Sequence, residues 1–298
     1  MLIDEMLKDQ DDFSDSEKAI ANYLIQAKES IKKEGARQIA AKAYVAPSSI
    51  VRFCQKLGFE GLNDFKEQYL EELNYTSHYF QKVDPNAPFD KEGRNLEVAG
   101  KLATLYIETI QDTLSLLNED VLTKMTELLN KETIYIVTLS AQIGIARAFK
   151  EKMMKIGRRV IILYEAHETL YEMENCDPEH SAVLILSYTG ESSRCISCAS
   201  IVLERGVSCA AVTSYGINRL SSMVPCTIHV SSREKLVSNL GNYSFALSVL
   251  YVLDVIYSNI FKLEFEANQE KKIASSLRER EPLFEQQGRK SDNPLLIE

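Results

Sequence analysis

The sequence is poor in the side chains that carry metal and redox chemistry. It has four histidines, and its six cysteines (Cys54, Cys176, Cys195, Cys198, Cys209, Cys226) are scattered. Cys195-x-x-Cys198 is the one close pair. No second pair or nearby histidine completes a ligand set around it, so small buried thiols in a reducing compartment are expected. There is no Gly-x-x-x-x-Gly-Lys-Ser/Thr loop for a nucleotide, no Ser–His–Asp order and no metal-ligand cluster. No cofactor is expected. Long apolar runs are also missing. The longest, Ala246 to Phe261, is broken by Asp254 and Asn259, is too short for a membrane span and reads as a buried helix. The first residues, MLIDEMLKDQDD, are acidic and carry no apolar stretch, so the expectation is no secretory leader, no membrane partner and a cytoplasmic location. With a net charge of −9, any nucleic acid has to be met by a local patch. What is present is ordinary globular composition, 45% hydrophobic and 26% charged, in 298 residues, enough for two domains with their own cores.

The most informative stretch is Arg37 to Gly58, RQIAAKAYVAPSSIVRFCQKLG. It reads as two short helices joined by a tight turn. Ile39, Ala40 and Ala43 give the first an apolar face, and Val45 plugs the turn. In the second, Ile50, Phe53, Cys54 and Leu57 recur at helical spacing and form one buried stripe. Gly58 closes it at the C′ position. The opposite face carries Ser48, Ser49, Arg52 and Lys56. Hydroxyls at a helix start and cations along its outer face suit entry into a DNA major groove. Local charge agrees. From Lys28 to Lys56 seven cations, Arg37 among them, stand against Glu29 and Glu34, a window of net +5 in an acidic chain. Because Ala46 caps the second helix poorly, Ser48 is expected to share the capping role, with Pro47 pre-organising the first turn.

Around this hairpin the order of elements is legible. Ser14 and Glu17 form a capping-box pattern for a helix to about Ala27, and a further helix runs from about Leu62 to Leu73. The pattern weakens between Asn74 and Arg94, around Asp84-Pro85-Asn86-Ala87-Pro88, which reads as a linker. After two more helical patterns come short apolar runs at Ile134–Leu139, Val160–Tyr164, Ala182–Ser187, Ser208–Thr213 and Cys226–Val230, separated by amphipathic segments. Such alternation predicts a parallel sheet covered on both faces. A long apolar helix, Ser238 to Phe261, closes the domain, and a charged stretch follows it.

In open α/β sheets ligands sit at the carboxyl ends of strands. There the run Ser187-Tyr188-Thr189-Gly190-Glu191-Ser192-Ser193 places several hydroxyls around one glycine before a helix. Backbone N–H groups, the helix dipole and hydroxyl donors favour a bound anion; a plain capped helix is the alternative. His167 and Thr213 are weaker candidates for the pocket rim.

Two resemblances add to this. The run Val51-Arg52-Phe53-Cys54-Gln55-Lys56-Leu57-Gly58-Phe59, with Gly61 and Phe65-Lys66, resembles the signature of RpiR-type transcriptional regulators. Phe13-Ser14-x-Ser16-Glu17-x-x-Ile20-Ala21-x-Tyr23 resembles that family's first helix. Ser187-x-Thr189-Gly190-x-Ser192 is similar to the Ser-x-Ser-Gly-x-Thr loop of SIS domains, which bind phosphosugars. The family pattern implies an α plus α/β chain: an all-α helix-turn-helix domain over 1–76, a linker over 77–100, an α/β SIS domain with a parallel sheet over 101–262, and a C-terminal helix and tail over 263–298. It implies a regulator of sugar metabolism or uptake genes that is not an enzyme and acts as a homodimer or homotetramer on double-stranded operator DNA. Arg37, Ser48, Ser49, Arg52 and Lys56 would face DNA. A phosphorylated sugar effector would be held by Ser140, Ser187, Thr189, Gly190 and Ser192, with Glu234 where SIS isomerases place a carboxylate. The chain departs from the pattern after the first strand, where Thr138 and Ser140 stand at glycine positions and Ala141 at a phosphate-binding serine. An alternative is a sugar-phosphate isomerase or aminosugar-phosphate processing enzyme with Glu234 or His167 as base. A third is a SIS fold that only assembles subunits.

Overall fold

The computed structural model describes residues 2–78, 82–231 and 233–287. Residues 79–81, inside the expected linker, and 288–298, the expected end of the tail, lie outside the described residues. The chain divides into two compact units, one made of Met1–Leu116, Ser214–Ser222 and His229–Phe245, the other of Leu117–Thr213, Met223–Ile228 and Ala246–Glu298.

The first unit begins with α1 (Ile3–Lys8), α2 (Asp15–Ala27), a 3-10 turn (Lys28–Lys33), α3 (Ala36–Lys42), α4 (Pro47–Lys56) and α5 (Leu62–His78). α2 starts where expected: Ser14 N donates to Glu17 Oε2 at 2.7 Å and Glu17 N donates back to Ser14 Oγ. The apolar stripes meet in one core of Ile20, Leu24, Ile39, Ile50, Phe53 and Phe65, all at most 1% exposed. Phe53 meets the Phe13 ring edge-on at 5.2 Å, and burial of such a ring contributes roughly 1.5–3 kcal/mol. Glu72 on α5 anchors α1 by accepting from the Ile3 and Asp4 amides. α5 extends five residues past the expected Leu73. After it, α6 (Asn95–Leu116) presents Ile107 and Leu114 to solvent.

The second unit holds α7 (Glu119–Leu129), β1 (Thr133–Val137), α8 (Gln142–Lys155), β2 (Arg159–Leu163), α9 (Ala166–Asn175), β3 (Ser181–Ser187), α10 (Ser193–Glu204) and β4 (Ser208–Ser214). Later in the chain come α11 (Arg219–Met223), which falls in the first unit except for Met223, and β5 (Thr227–Val230) and α12 (Ser244–Leu263), whose residues are divided between the two units. α13 (Phe265–Gln287) lies in the second. The strands start or end within two residues of the apolar runs. They form a five-stranded sheet in the order β2-β1-β3-β4-β5, with β2, β1, β3 and β4 parallel. Every residue of β3 is buried, as a central strand covered on both faces requires.

One expectation needs correction. α12 has 20 residues and is long and apolar enough to cross a membrane by length and composition, whereas its apolar run read as too short. Phe245, Val249, Val252, Leu253, Ile256 and Ile260 are nonetheless buried, and Asp254 pairs with Lys152 at 2.5 Å. One buried face and a paired charge at mid-length describe a core helix. All six cysteines are buried and unpaired, as expected; burial pushes the Cys54 and Cys209 thiols up to about 12.

Candidate functional site

Two surfaces merit description, and each lies within one compact unit. The first is α4 and the turn before it. Tyr44 takes a left-handed backbone (φ 56°) in that turn and is 95% exposed. A non-glycine residue there is uncommon and strained. Nothing in the sequence distinguished Tyr44 from the neighbouring core aromatics. Val45 N donates to Ala40 O, closing the turn. Ala46 is the N-cap of α4 with no side-chain cap bond, and Pro47 is the first helical residue. Ser48 does not take the capping role: its Oγ instead accepts from Arg52 Nη2 at 3.4 Å. The serine follows Pro47 inside the first turn, so its hydroxyl points along the helix rather than back over the free amides.

The candidate DNA-facing residues divide into two kinds. Arg37, Ser48 and Arg52 are exposed and Ser49 is half-buried. Lys56 is tied down: Nζ pairs with Glu17 Oε2 at 2.9 Å and donates to Asp12 O at 3.0 Å. The Ser14 amide, and then Lys56, hold the Glu17 carboxyl below its usual value. Lys42 is likewise engaged. Glu34 accepts from Lys42 Nζ and from Tyr23 Oη, each at 2.6 Å, and those two bonds lower its pKa. Two lysines of the window are thus ion-paired, Lys42 with Glu34 inside it and Lys56 with Glu17 outside it, while Arg37 and Arg52 stay open to solvent.

The second surface is at the carboxyl ends of β1 and β3. From β1 the chain crosses to β2 on one side, then returns to β3 on the other. This reversal makes a switch point, and the loops after β1 and β3 flank its crevice. β1 and β3 pair up to Val137 opposite Ile185, which brings Thr138–Ser140 beside Ser187. Ser187 is buried at the strand end. Gly190 turns the loop with φ 66°, and Glu191 N donates to Thr189 Oγ1 at 3.2 Å. Ser192 is the N-cap of α10 but makes no side-chain cap bond. Cys195 is fully buried in the first turn of α10. Burial pushes its thiol up, while hydrogen bonding with Ser192 and Ser187 pulls it down. Ser187 and Ser192 thus flank one buried sulfur near the start of a helix.

On the β1 side, Ser140 adopts φ 57°, the conformation for which glycine is favoured. Ala141 caps α8, again without a side-chain bond. Thr138 Oγ1 is fully buried and has no hydrogen-bond partner among the described residues. Arg194, which no sequence motif marks, donates from α10's first turn to Tyr164 O just after β2. Thr213 Oγ1 donates to Tyr188 O at 3.2 Å and His167 is exposed on α9.

Glu234 belongs to the other compact unit. It is 3% exposed, and its carboxylate accepts from Ser244 N at 2.6 Å and Phe245 N at 2.9 Å, capping α12. Burial raises its pKa and those amides oppose the rise. The glutamate is a helix cap reached from ten residues upstream.

Comparison with known proteins matches the helical N-terminal segment and the sheet-bearing segment separately. Residues 1–75 match the model of the helix-turn-helix domain, rpiR family, and residues 127–257 match the SIS domain. An uncharacterized HTH-type transcriptional regulator of Bacillus subtilis, YbbH, is 21% identical over 84% of this chain and 87% of its own. Among solved structures, Vibrio vulnificus NanR complexed with ManNAc-6P superposes with a TM-score of 0.59 at 17% identity, over 94% of this chain and 98% of that one. The sugar isomerase domain of an RpiR transcription factor from Sphaerobacter thermophilus gives 0.52 at 16% identity, over 62% of this chain and 98% of that one.

Proposed function

The chain belongs to the rpiR family of helix-turn-helix transcriptional regulators with a SIS domain, and from that premise we propose that a phosphorylated sugar, bound at the β1/β3 crevice, sets how tightly it holds operator DNA. The observation that carries this reading is the loop from Ser187 to Ser192. It has hydroxyls that no helix cap consumes, a left-handed glycine, and the free amides of α10. Such a constellation favours a phosphate dianion, because N–H groups and the helix dipole both point at it. Ser140 supplies a second hydroxyl across the switch point. NanR carries ManNAc-6P in its complex, which supports a phosphosugar for this chain as well. Glu234, the carboxylate that an isomerase would use as base, holds the α12 amides instead, which supports a regulator over an enzyme.

At the DNA end, Arg52 and Arg37 read or grip the duplex, with Ser48 and Ser49 at the groove edge. Helix-turn-helix proteins meet half-sites about one helical turn apart, so the working form is a homodimer or a homotetramer of the cytoplasm. Ligand acts by binding two subunit arrangements with unequal affinity; without that inequality it shifts nothing. The experiment is a mobility-shift titration on the DNA beside the chain's own gene, with and without a panel of sugar phosphates, for wild type and Ser187→Ala. One sugar phosphate should shift the wild-type midpoint and leave Ser187→Ala unmoved. Operator binding insensitive to every sugar phosphate sinks the sensor half of the reading, and absence of DNA binding at low salt sinks the whole.

A further inference from the structure

A half-open cleft of about 470 Å³ lies in the first compact unit, between α1 and α5, the turn after α4, and the segments around β4 and β5 that belong to this unit. That volume falls within the roughly 300–1,000 Å³ of small-molecule sites. Its polar wall is unusual in where its protons are committed. Gln68 Nε2 donates to Asp64 Oδ1 at 2.7 Å, which leaves Oε1 as the free end of the amide. Ser221 Oγ and Ser222 Oγ both donate to Asn218 O at 3.0 Å. His229 Nδ1 lies 3.2 Å from Ser214 O. A carbonyl only accepts, so Nδ1 carries the proton, and burial holds the ring neutral with Nε2 as a bare acceptor. Glu72 accepts two amides with two of its lone pairs. The Glu71 carboxylate has no hydrogen-bond or ion-pair partner among the described residues.

The wall therefore offers mainly acceptors: an amide oxygen, two hydroxyl oxygens, an imidazole nitrogen and two carboxylates, against the second Gln68 Nε2 hydrogen and the Tyr215 hydroxyl as side-chain donors. No lysine or arginine lines it among the described residues, so a phosphate would meet carboxylates with no cation to offset them. Ile3, Phe59 and Ile217 give an apolar side. The Tyr215 ring, 4.5 Å from that of Tyr75, gives a π-face that attracts cations. We propose that this cleft binds a small organic cation with N–H donors, a primary ammonium or guanidinium group on a short apolar stem. The site is separate from the hydroxyl loop after β3 and of opposite charge preference. Its walls include residues at the middle of α5 and the turn after α4, so an occupant bears on the DNA-binding module.

The test is isothermal titration of the full chain at about pH 8, where amines are charged and histidine is neutral. Putrescine and agmatine are the probes. Choline, a cation without N–H groups, and 1,4-butanediol, a donor without charge, are the controls. At least one probe should bind saturably and both controls at least roughly tenfold more weakly. Glu71→Gln, on the exposed side of α5, should weaken the amine by a further roughly tenfold with the melting temperature unchanged. No saturable binding of either probe up to about 10 mM overturns the proposal. So does choline binding as tightly as the amines, or a Glu71→Gln chain of unaltered affinity.

Discussion

Tyr75 Oη donates to Asp112 Oδ2 across 3.0 Å, joining the end of α5 to the last turns of α6 inside the first compact unit. Asp112 is fully buried. Burial raises its pKa, and Ser231, Tyr75 and Arg233 hold it down. Its Oδ1 and the Ser231 Oγ beside it nevertheless lack hydrogen-bond geometry. One turn earlier, Glu108 Oε2 faces Arg233 Nη1 at 3.6 Å, and Glu108 Oε1 accepts from Lys82 N. Arg233 Nη2 reaches Val83 O at 3.2 Å. The segment after α5 is thus fastened by buried polar groups, which fix geometry more than they add stability.

Removing the donor in Tyr75→Phe should destabilise the chain by roughly 1–2 kcal/mol, because Asp112 is left buried with an unmet oxygen. Asp112→Asn keeps an acceptor for Tyr75 and removes a buried charge, so its effect should be smaller. Urea midpoints at constant slope measure both. A larger loss in Asp112→Asn would mean that attraction to Arg233, not the tyrosine bond, dominates.

His229 makes stability fall in mild acid. Its folded pKa is depressed from 6.5 by burial, so below pH 6.5 the unfolded chain takes up a proton that the folded chain refuses. The contribution is complete above 6.5 and is lost as pH falls toward the folded value, at up to about 1.4 kcal/mol per pH unit. The raised carboxyls of Glu72, Asp112 and Glu234 act in the opposite sense in the window above 4.5 or 3.8. Melting curves of wild type and His229→Asn between about pH 5 and 8 isolate the histidine: the variant should have the shallower loss on acidification.

The empty cap of α4 is open to improvement. Ala46→Ser supplies an acceptor for a first-turn amide and should stabilise by roughly 0.5–1 kcal/mol, read as a higher melting temperature. Operator affinity should hold, since no charge changes. A lower melting temperature would mean that Ala46 packs where a hydroxyl does not fit.

Arg52 and Lys56 should behave differently on DNA. Arg52 is exposed and weakly held by Ser48, so Arg52→Ala should cost operator affinity roughly tenfold or more and flatten the salt dependence by about one ion. Lys56 is paired with Glu17, so Lys56→Ala should weaken DNA binding less and lower stability by at most about 1 kcal/mol. Equal losses of affinity in a salt titration would show that Lys56 leaves Glu17 to meet phosphate.

Much of the local structure was readable beforehand, and the failures are instructive. The Ser14–Glu17 capping box, Gly58 (φ 97°) after α4 and the buried stripe Ile50, Phe53 and Cys54 all depend on neighbours within about one or two turns. The positions whose surroundings could not be read depend on distant partners. Lys56 counted as an outward cation until folding brought Glu17 from 39 residues away. Glu234 read as a ligand-site carboxylate or a base, and its environment is set by the amides of Ser244 and Phe245. Ser140 looked like a departure from a glycine, and its positive φ gives the reason a glycine would suit that place.

By themselves, the residues determined the kinds of element and the chemistry of their loops: a basic helical hairpin, five short strands and a hydroxyl cluster around Gly190. Periodicity and side-chain type act over a few residues and survive in any arrangement of the whole. Only the tertiary structure decided the strand order that sets the loops after β1 and β3 side by side. It alone decided which polar groups have committed their protons elsewhere, because that depends on partners the chain meets only after long-range contacts form.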